Sequence, residues 1–384
     1  MPITYPYIQY GGIWTTDQAA DARAQNKWPV PTYPYLYGWG ANGSGELGLG
    51  NRTQYSSPKQ VGSLTDWNAL AGGEFTISVK TDGTLWTWGR NNAGQLGLNN
   101  TTYYSSPKQV GSLTNWLIVS CSYINSAFAV KTDGTLWCWG SNNSGVLGLG
   151  NETYYSSPKQ IGALTNWSTV ISGAQHALAI KTDGSLWAWG RGASGCLGLG
   201  NTTDRNSPVQ VGSLTNWLKI SAGYSSSFAI KTDGTLWSWG RNNEGQLGLG
   251  NRTNYSSPNQ IGALTNWANI SCGRTYVFAI KTDGTIWSWG NNDSGQLGFG
   301  NLTRYSSPKQ VGSLTNWLNV ACGQYHVGSI KTDGTLWFWG RNTNGQLGLG
   351  NTTDYSSPKQ VGSLTSWTKI FPNQRNSSFA ISKI

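Results

Sequence analysis

From Tyr35 to the C-terminus, short apolar runs alternate with polar stretches rich in Gly, Asn and Ser. The unit beginning at Trp217 shows the pattern. The run Leu-Lys-Ile-Ser-Ala-Gly predicts a first short strand, and a turn over residues 224–227 follows. Phe228 to Lys231 predicts a second strand. Asp233-Gly234 turns the chain back, because that pair tolerates the positive φ of a tight hairpin turn. Thr235 to Gly240 predicts a third strand. A long loop rich in Gly and Asn leads to an edge strand at Pro258–Ile261, where proline is tolerated. No run is long enough for a membrane-spanning helix, which needs about 18 apolar residues.

The pattern recurs around Lys80, Lys131, Lys181, Lys231, Lys281 and Lys331, at a period of roughly fifty residues that points to a repeat architecture. Four short strands per unit is the make-up of a propeller blade. The third strand ends at Trp39, Trp88, Trp139, Trp189, Trp239, Trp289 and Trp339; the second ends near Val79, Val130, Ile180, Ile230, Ile280, Ile330 and Ile381. The first unit lacks its second strand and the last stops before its third. These fragments are complementary. The predicted fold is an all-β, seven-bladed β-propeller of four-stranded blades over 35–384, closed by pairing of strand 35–40 with strand 379–384.

Residues 1–34 lie outside the repeat. Tyr5, Tyr7, Tyr10 and Trp14 alternate with Pro and Gly and predict an extended, adhesive arm. Thr15 to Gln25 predicts a short helix with Thr16 as N-cap, ended by Pro29, Pro31 and Pro34.

Composition adds limits. Charged residues make up only 11% of the chain and Trp numbers 22, which excludes solvated disorder and supplies large buried surfaces. The net charge of +10 largely reflects multiplication of one lysine-bearing unit. The five cysteines, Cys121, Cys138, Cys196, Cys272 and Cys322, lack any C-x-x-C spacing and are read as free core thiols in a reducing compartment. The N-terminus has no basic n-region followed by an apolar stretch, so synthesis without a classical export signal is expected, cytoplasmic if the chain is cellular and in the virion if it is viral.

The string W-G-R-N-N-E-G-Q-L-G-L-G-N-R-T-N-Y-S-S-P, Trp239 to Pro258, resembles the RCC1 repeat family, in a style like its phage and bacterial members. The resemblance runs over 35–384 and implies a seven-bladed ring closed by its terminal strands. Family members include nucleotide-exchange factors for a small GTPase, chromatin-binding proteins and ligase modules, so the resemblance leaves function open. The exchange factors act through specific loops and a wedge-like insertion. Here every unit stays near fifty residues, so exchange activity is not expected.

Comparing the units with one another locates the variation. The turn between the second and third strands is nearly constant, as is the link G-S-L-T-N-W or G-A-L-T-N-W. The turn between the first and second strands differs in every unit. In an up-and-down blade these variable turns share one face with the long loops, and most arginines fall there. Loops held by a rigid scaffold are where binding residues concentrate. The candidate binding residues are Phe75, Tyr123, Ile124, His176, Tyr224, Arg274, Tyr276, Tyr325, His326 and Arg375.

Catalysis is not expected. His176 and His326 lie three blades apart, the acids are scattered, and no phosphate loop or dinucleotide fingerprint is present. Cys272, Cys322 and His326 do not make the four ligands of a zinc site, and no cofactor is expected. Asparagines of N-x-T, such as Asn251, are read as loop caps rather than glycosylated sites. Paired tryptophans such as Trp237 and Trp239 are read as core, which leaves nucleic-acid binding resting on arginines alone. The expected function is a non-enzymatic interaction propeller, most concretely a virion tail, fibre or capsid-decoration component. Its partners would be virion proteins or copies of itself, with a host-surface glycan as a further candidate. The alternatives are a cellular chromatin- or GTPase-associated protein and a carbohydrate-binding adhesin.

Overall fold

The computed structural model describes residues 33–383 of the chain. The expected arm residues Tyr5, Tyr7, Tyr10 and Trp14 and the expected helix lie outside the described residues.

Each unit folds as a four-stranded antiparallel sheet, and there are seven. Lettering the strands A to D, blade 4 runs through A, Trp217–Ala222; B, Ser226–Lys231; C, Leu236–Gly240; and D, Tyr255–Gln260. Blades 1 to 6 open at Trp67, Trp116, Trp167, Trp217, Trp267 and Trp317. Blade 7 takes A and B from the end of the chain, Trp367–Pro372 and Ser377–Lys383, and C and D from its beginning, Pro34–Gly40 and Tyr55–Gln60. Its B and C strands pair from Pro34 with Lys383 to Gly40 with Ser377. The ring is closed by its two ends, as the complementary fragments predict.

The A strands meet one another around the axis. The core lies between blades rather than within them, as seven clusters. One joins Phe128, Val130, Leu136 and Ile161 of blade 2 to Trp167, Val170 and Trp189 of blade 3. The C-strand tryptophan is the tie. Trp239 is fully buried, and its Nε1 donates to the Cys196 carbonyl of the preceding blade at 2.9 Å. Trp39 does the same across the closure, to Gln346 at 2.9 Å. The loop glycine facing each such indole has no room for a side chain: a Cβ on Gly248 would lie 2.8 Å from Trp289 Nε1.

The B–C turn differs in one detail from a two-residue primed turn. Gly234 has φ of +76°, but Asp233 is not among the residues at positive φ. Gly234 N donates to Lys231 O at 3.0 Å, and Lys231 N to Thr235 O at 3.0 Å. This is a turn followed by a left-handed glycine, which only needs Gly at one position. Asp233 earns its place through its side chain, accepting from Thr235 N at 2.9 Å and Thr235 Oγ1 at 2.6 Å. The Thr235 hydroxyl holds the Asp233 carboxyl below its ordinary range.

Candidate functional site

The A–B turns and C–D loops share one face of the ring. Each C–D loop is braced by an asparagine. The buried Asn242 accepts from Leu247 N at 2.8 Å and donates to Asn251 O at 3.0 Å. Asn251, the sequon asparagine, accepts from Thr253 N at 3.0 Å and donates to the Tyr255 hydroxyl at 3.1 Å. Its amide is thus engaged as a loop cap.

The A–B turns are stitched to their neighbours near the axis. Ala174 N donates to Tyr224 O and Tyr224 N to Arg274 O, both at 3.1 Å. The first residue of the C–D loop is tied to the A–B turn of its own blade, as in Arg241 N to Ser225 O at 2.9 Å and Arg341 N to Tyr325 O at 2.9 Å. That backbone bond places the arginine of W-G-R beside the variable turn.

The ten candidate residues divide in two. Ile124, Tyr224, Arg274, Tyr325 and Arg375 lie half-buried on this face. Phe75, Tyr123, His176, Tyr276 and His326 are buried and cannot meet a partner at the surface. Four of these five open strand B, so their side chains turn inward between blades; Tyr123 packs on Tyr224 with ring centroids 5.8 Å apart. The Tyr276 hydroxyl, with one proton to give, donates to the His326 carbonyl at 2.7 Å and lies 2.9 Å from the Gly323 carbonyl. A turn residue and a strand-opening residue look alike in sequence, and only the point where strand B begins separates them.

The two histidines are built alike. His326 Nε2 lies 2.9 Å from Ser378 Oγ, which gives its one proton to Gln346 O at 2.8 Å. His176 and Ser227 repeat this with Cys196 O. The serine proton being spent, the imidazole must donate through Nε2. Burial pushes His176 down to about 4 and His326 to about 3.

On the exposed part of the face, arginines fall into two groups. Arg90 pairs with Glu74, which Arg375 also approaches at 3.7 Å. Arg304 pairs with Glu244 and with Asp293, the latter at 2.6 Å; its hydrogen bond holds the Asp293 carboxyl below the usual range. Arg241, Arg274 and Arg341 have no carboxylate partner among the described residues. Arg274 is held between tyrosines instead. Its guanidinium lies 4.9 Å over the Tyr224 ring, and Nη1 donates to the Tyr325 hydroxyl at 2.6 Å. Arg341 lies 5.7 Å over the other side of the cluster, at Tyr325. Beside them opens a cleft of about 270 Å³ between blades 4, 5 and 6.

Two features of the opposite face were not read from the sequence. The lysine before each T-D-G is caged by indoles: Lys231 Nζ lies 3.8 Å over Trp237 and 4.8 Å over Trp217. Burial lowers its pKa, and the ring quadrupoles hold the cation. The regular spacing of Trp217, Lys231 and Trp237 was the available signal. The constant link also exposes leucines, Leu64, Leu113, Leu164, Leu214, Leu264, Leu314 and Leu364, each between 39% and 49% exposed.

All five cysteines are buried and unpaired, and burial pushes each thiol up. Among the described residues no group of three or more His, Cys, Asp or Glu could hold a metal ion. In the folded protein a thiol reagent at pH 8 is expected to label these cysteines at least tenfold more slowly than in denaturant, since the thiolate is the reacting form. Equal rates would show that the thiols are accessible.

The model described as "Regulator of chromosome condensation (RCC1) repeat" matches residues 35–77, 82–128, 133–180, 183–230, 233–280, 283–330 and 333–371. Among solved structures, Prp20p from Saccharomyces cerevisiae is 20% identical with a TM-score of 0.81, covering 92% of this chain and 93% of that one. Human WBSCR16 is 22% identical with a TM-score of 0.81, covering 91% and 99%. A yeast RCC1 (Prp20) structure bound to Kap60 gives 20% and 0.80, covering 92% and 90%.

Proposed function

As the chain belongs to the RCC1 repeat family, we propose that it is a non-enzymatic interaction propeller that binds a protein partner through the face bearing the A–B turns and C–D loops. The observation that carries this reading is the half-buried Tyr224–Arg274–Tyr325 cluster, a rigid aromatic and arginine surface set on hydrogen-bonded loops. Tyr and Arg are the residues that dominate protein interfaces.

The relatives favour a cellular regulatory protein over the virion component expected from the sequence. Prp20p is described for its binding to Gsp1p and histones, and the yeast RCC1 structure is a complex with Kap60. Their likeness at this identity speaks for the shared fold, so Gsp1p and histones serve as first probes rather than as assigned partners.

The test measures binding of the full chain to these proteins, and to any partner that replaces them, with one variant on each face. Tyr325→Ala is expected to weaken binding at least tenfold, and Leu214→Ser on the opposite face to leave it unchanged. The reverse outcome sinks the reading.

A further inference from the structure

We propose that the cleft between blades 4, 5 and 6 is a subsite for an anionic side chain of the partner, a carboxylate or a phosphate. The inference rests on the reading of this face as the binding face, and it names the chemistry recognised there.

The charge of the cleft decides the matter. Its lining includes Arg241, Arg274, Glu244 and Asp293, which counted alone would be neutral. The two acids, however, are both engaged by Arg304, which is not part of the lining. Arg304 matches one of these two negative charges from outside, so the lining together with Arg304 carries a net charge of +1. Arg241 and Arg274 have no such match among the described residues, and Arg341 stands over Tyr325 next to them. The cleft is therefore positive where it is open.

Geometry favours the same ligand. A guanidinium has five N–H donors in a fixed fork, suited to two oxygens of one anion. Arg274 spends a donor on the Tyr325 hydroxyl, at 2.6 Å, and its plane is supported 4.9 Å from the Tyr224 ring. Little side-chain entropy remains to be lost when an anion binds. Ser225, Thr275 and Ser294 line the cleft as well. A volume of about 270 Å³ falls below the roughly 300–1,000 Å³ of small-molecule pockets. It has room for one side chain or one phosphoryl group, which fits an anchor point in a larger protein contact.

The experiment titrates the full chain at low salt with a hexaglutamate peptide and with a phosphoserine peptide of equal length. Binding of at least one is expected, weakening as salt is added; the tighter of the two identifies the anion. Arg274→Ala and Arg241→Ala should each weaken it at least tenfold, with Arg52→Ala, in the C–D loop of blade 7 and outside the lining of the cleft, unchanged. Glu244→Gln should strengthen it several-fold, because it releases Arg304 from one carboxylate while keeping the shape of the side chain. This last variant keeps the test valid should Arg274→Ala disturb folding, which a thermal melt would reveal. The proposal falls if neither peptide binds, if Arg52→Ala weakens binding as much as Arg241→Ala, or if Glu244→Gln has no effect. With a protein partner in hand the two readings separate. Loss with Tyr325→Ala but indifference to Arg241→Ala and Glu244→Gln would keep the face and reject the anion site. Indifference to all three would reject the face.

Discussion

Deletion of residues 377–384 is expected to abolish the cooperative unfolding transition of the whole ring. The deletion removes strand B of blade 7, which lies between strands A and C of that blade. It leaves strand C, 34–40, attached only to the edge strand D, and it uncovers Leu36, Trp39 and Trp88. It also leaves two blade faces apart that were held by Phe379, whose ring packs 6.3 Å from Trp88 and fills the space left open by Gly38. The single substitution Phe379→Ala should already cost about 3–5 kcal/mol, the usual range for a buried aromatic, against a total stability of about 5–15 kcal/mol for a typical protein. Tryptophan fluorescence in a urea titration reads both effects. The truncated chain should show a broad transition at lower urea, and a peptide of residues 377–384 supplied in trans should sharpen it again by strand addition. A truncated chain with the unaltered midpoint and slope would show that the closure contributes nothing.

The second large effect is acid sensitivity. His176 and His326 are held neutral by burial, with pKa values pushed down to about 4 and about 3, against about 6.5 when unfolded. The unfolded chain therefore binds protons below pH 6.5 that the folded chain refuses. Stability is full above that value and falls as pH drops toward the folded pKa values. By pH 5 the loss is roughly 2 kcal/mol for each histidine and about 4 kcal/mol for both. The buried Glu46, whose carboxyl desolvation raises, works in the opposite sense and offsets part of this. The urea midpoint should fall between pH 7 and pH 5, a window above the ordinary carboxylate range. His176→Gln with His326→Gln should flatten that dependence even though each variant is less stable at pH 7. A double variant with the wild-type slope would refute the assignment.

The fold was legible because each of its determinants is local and repeated. The T-D-G-T hairpins, the paired tryptophans and the interrupted first and last units together specify blade number and closure without any long-range information. The site was legible only in part. The variable turns could be found by comparing units, but whether a given residue faces solvent depends on where strand B begins. Tyr276 and Tyr325 look equivalent in sequence; one is fully buried and the other lies on the face. The charge balance of the cleft was not legible at all. Arg304 and Glu244 are 60 residues apart, and their meeting depends on the ring placing loops of adjacent blades side by side.

The closure has a consequence for how the molecule is made. Strand 34–40 leaves the ribosome first and its partner, 377–383, last. At about 5–20 residues per second the wait is on the order of tens of seconds. Throughout it an apolar strand carrying Leu36 and Trp39 is without its mate, in the presence of six other B strands of nearly the same sequence. What protects it is proximity. Each of those B strands is joined to its own C strand by the short T-D-G turn, and closing so small a loop costs far less entropy than recruiting a strand from far along the chain. Every internal B strand is thus taken by its neighbour soon after it emerges. Only the B strand of blade 7 has its C strand at the other end of the repeat array, and it finds that strand still vacant.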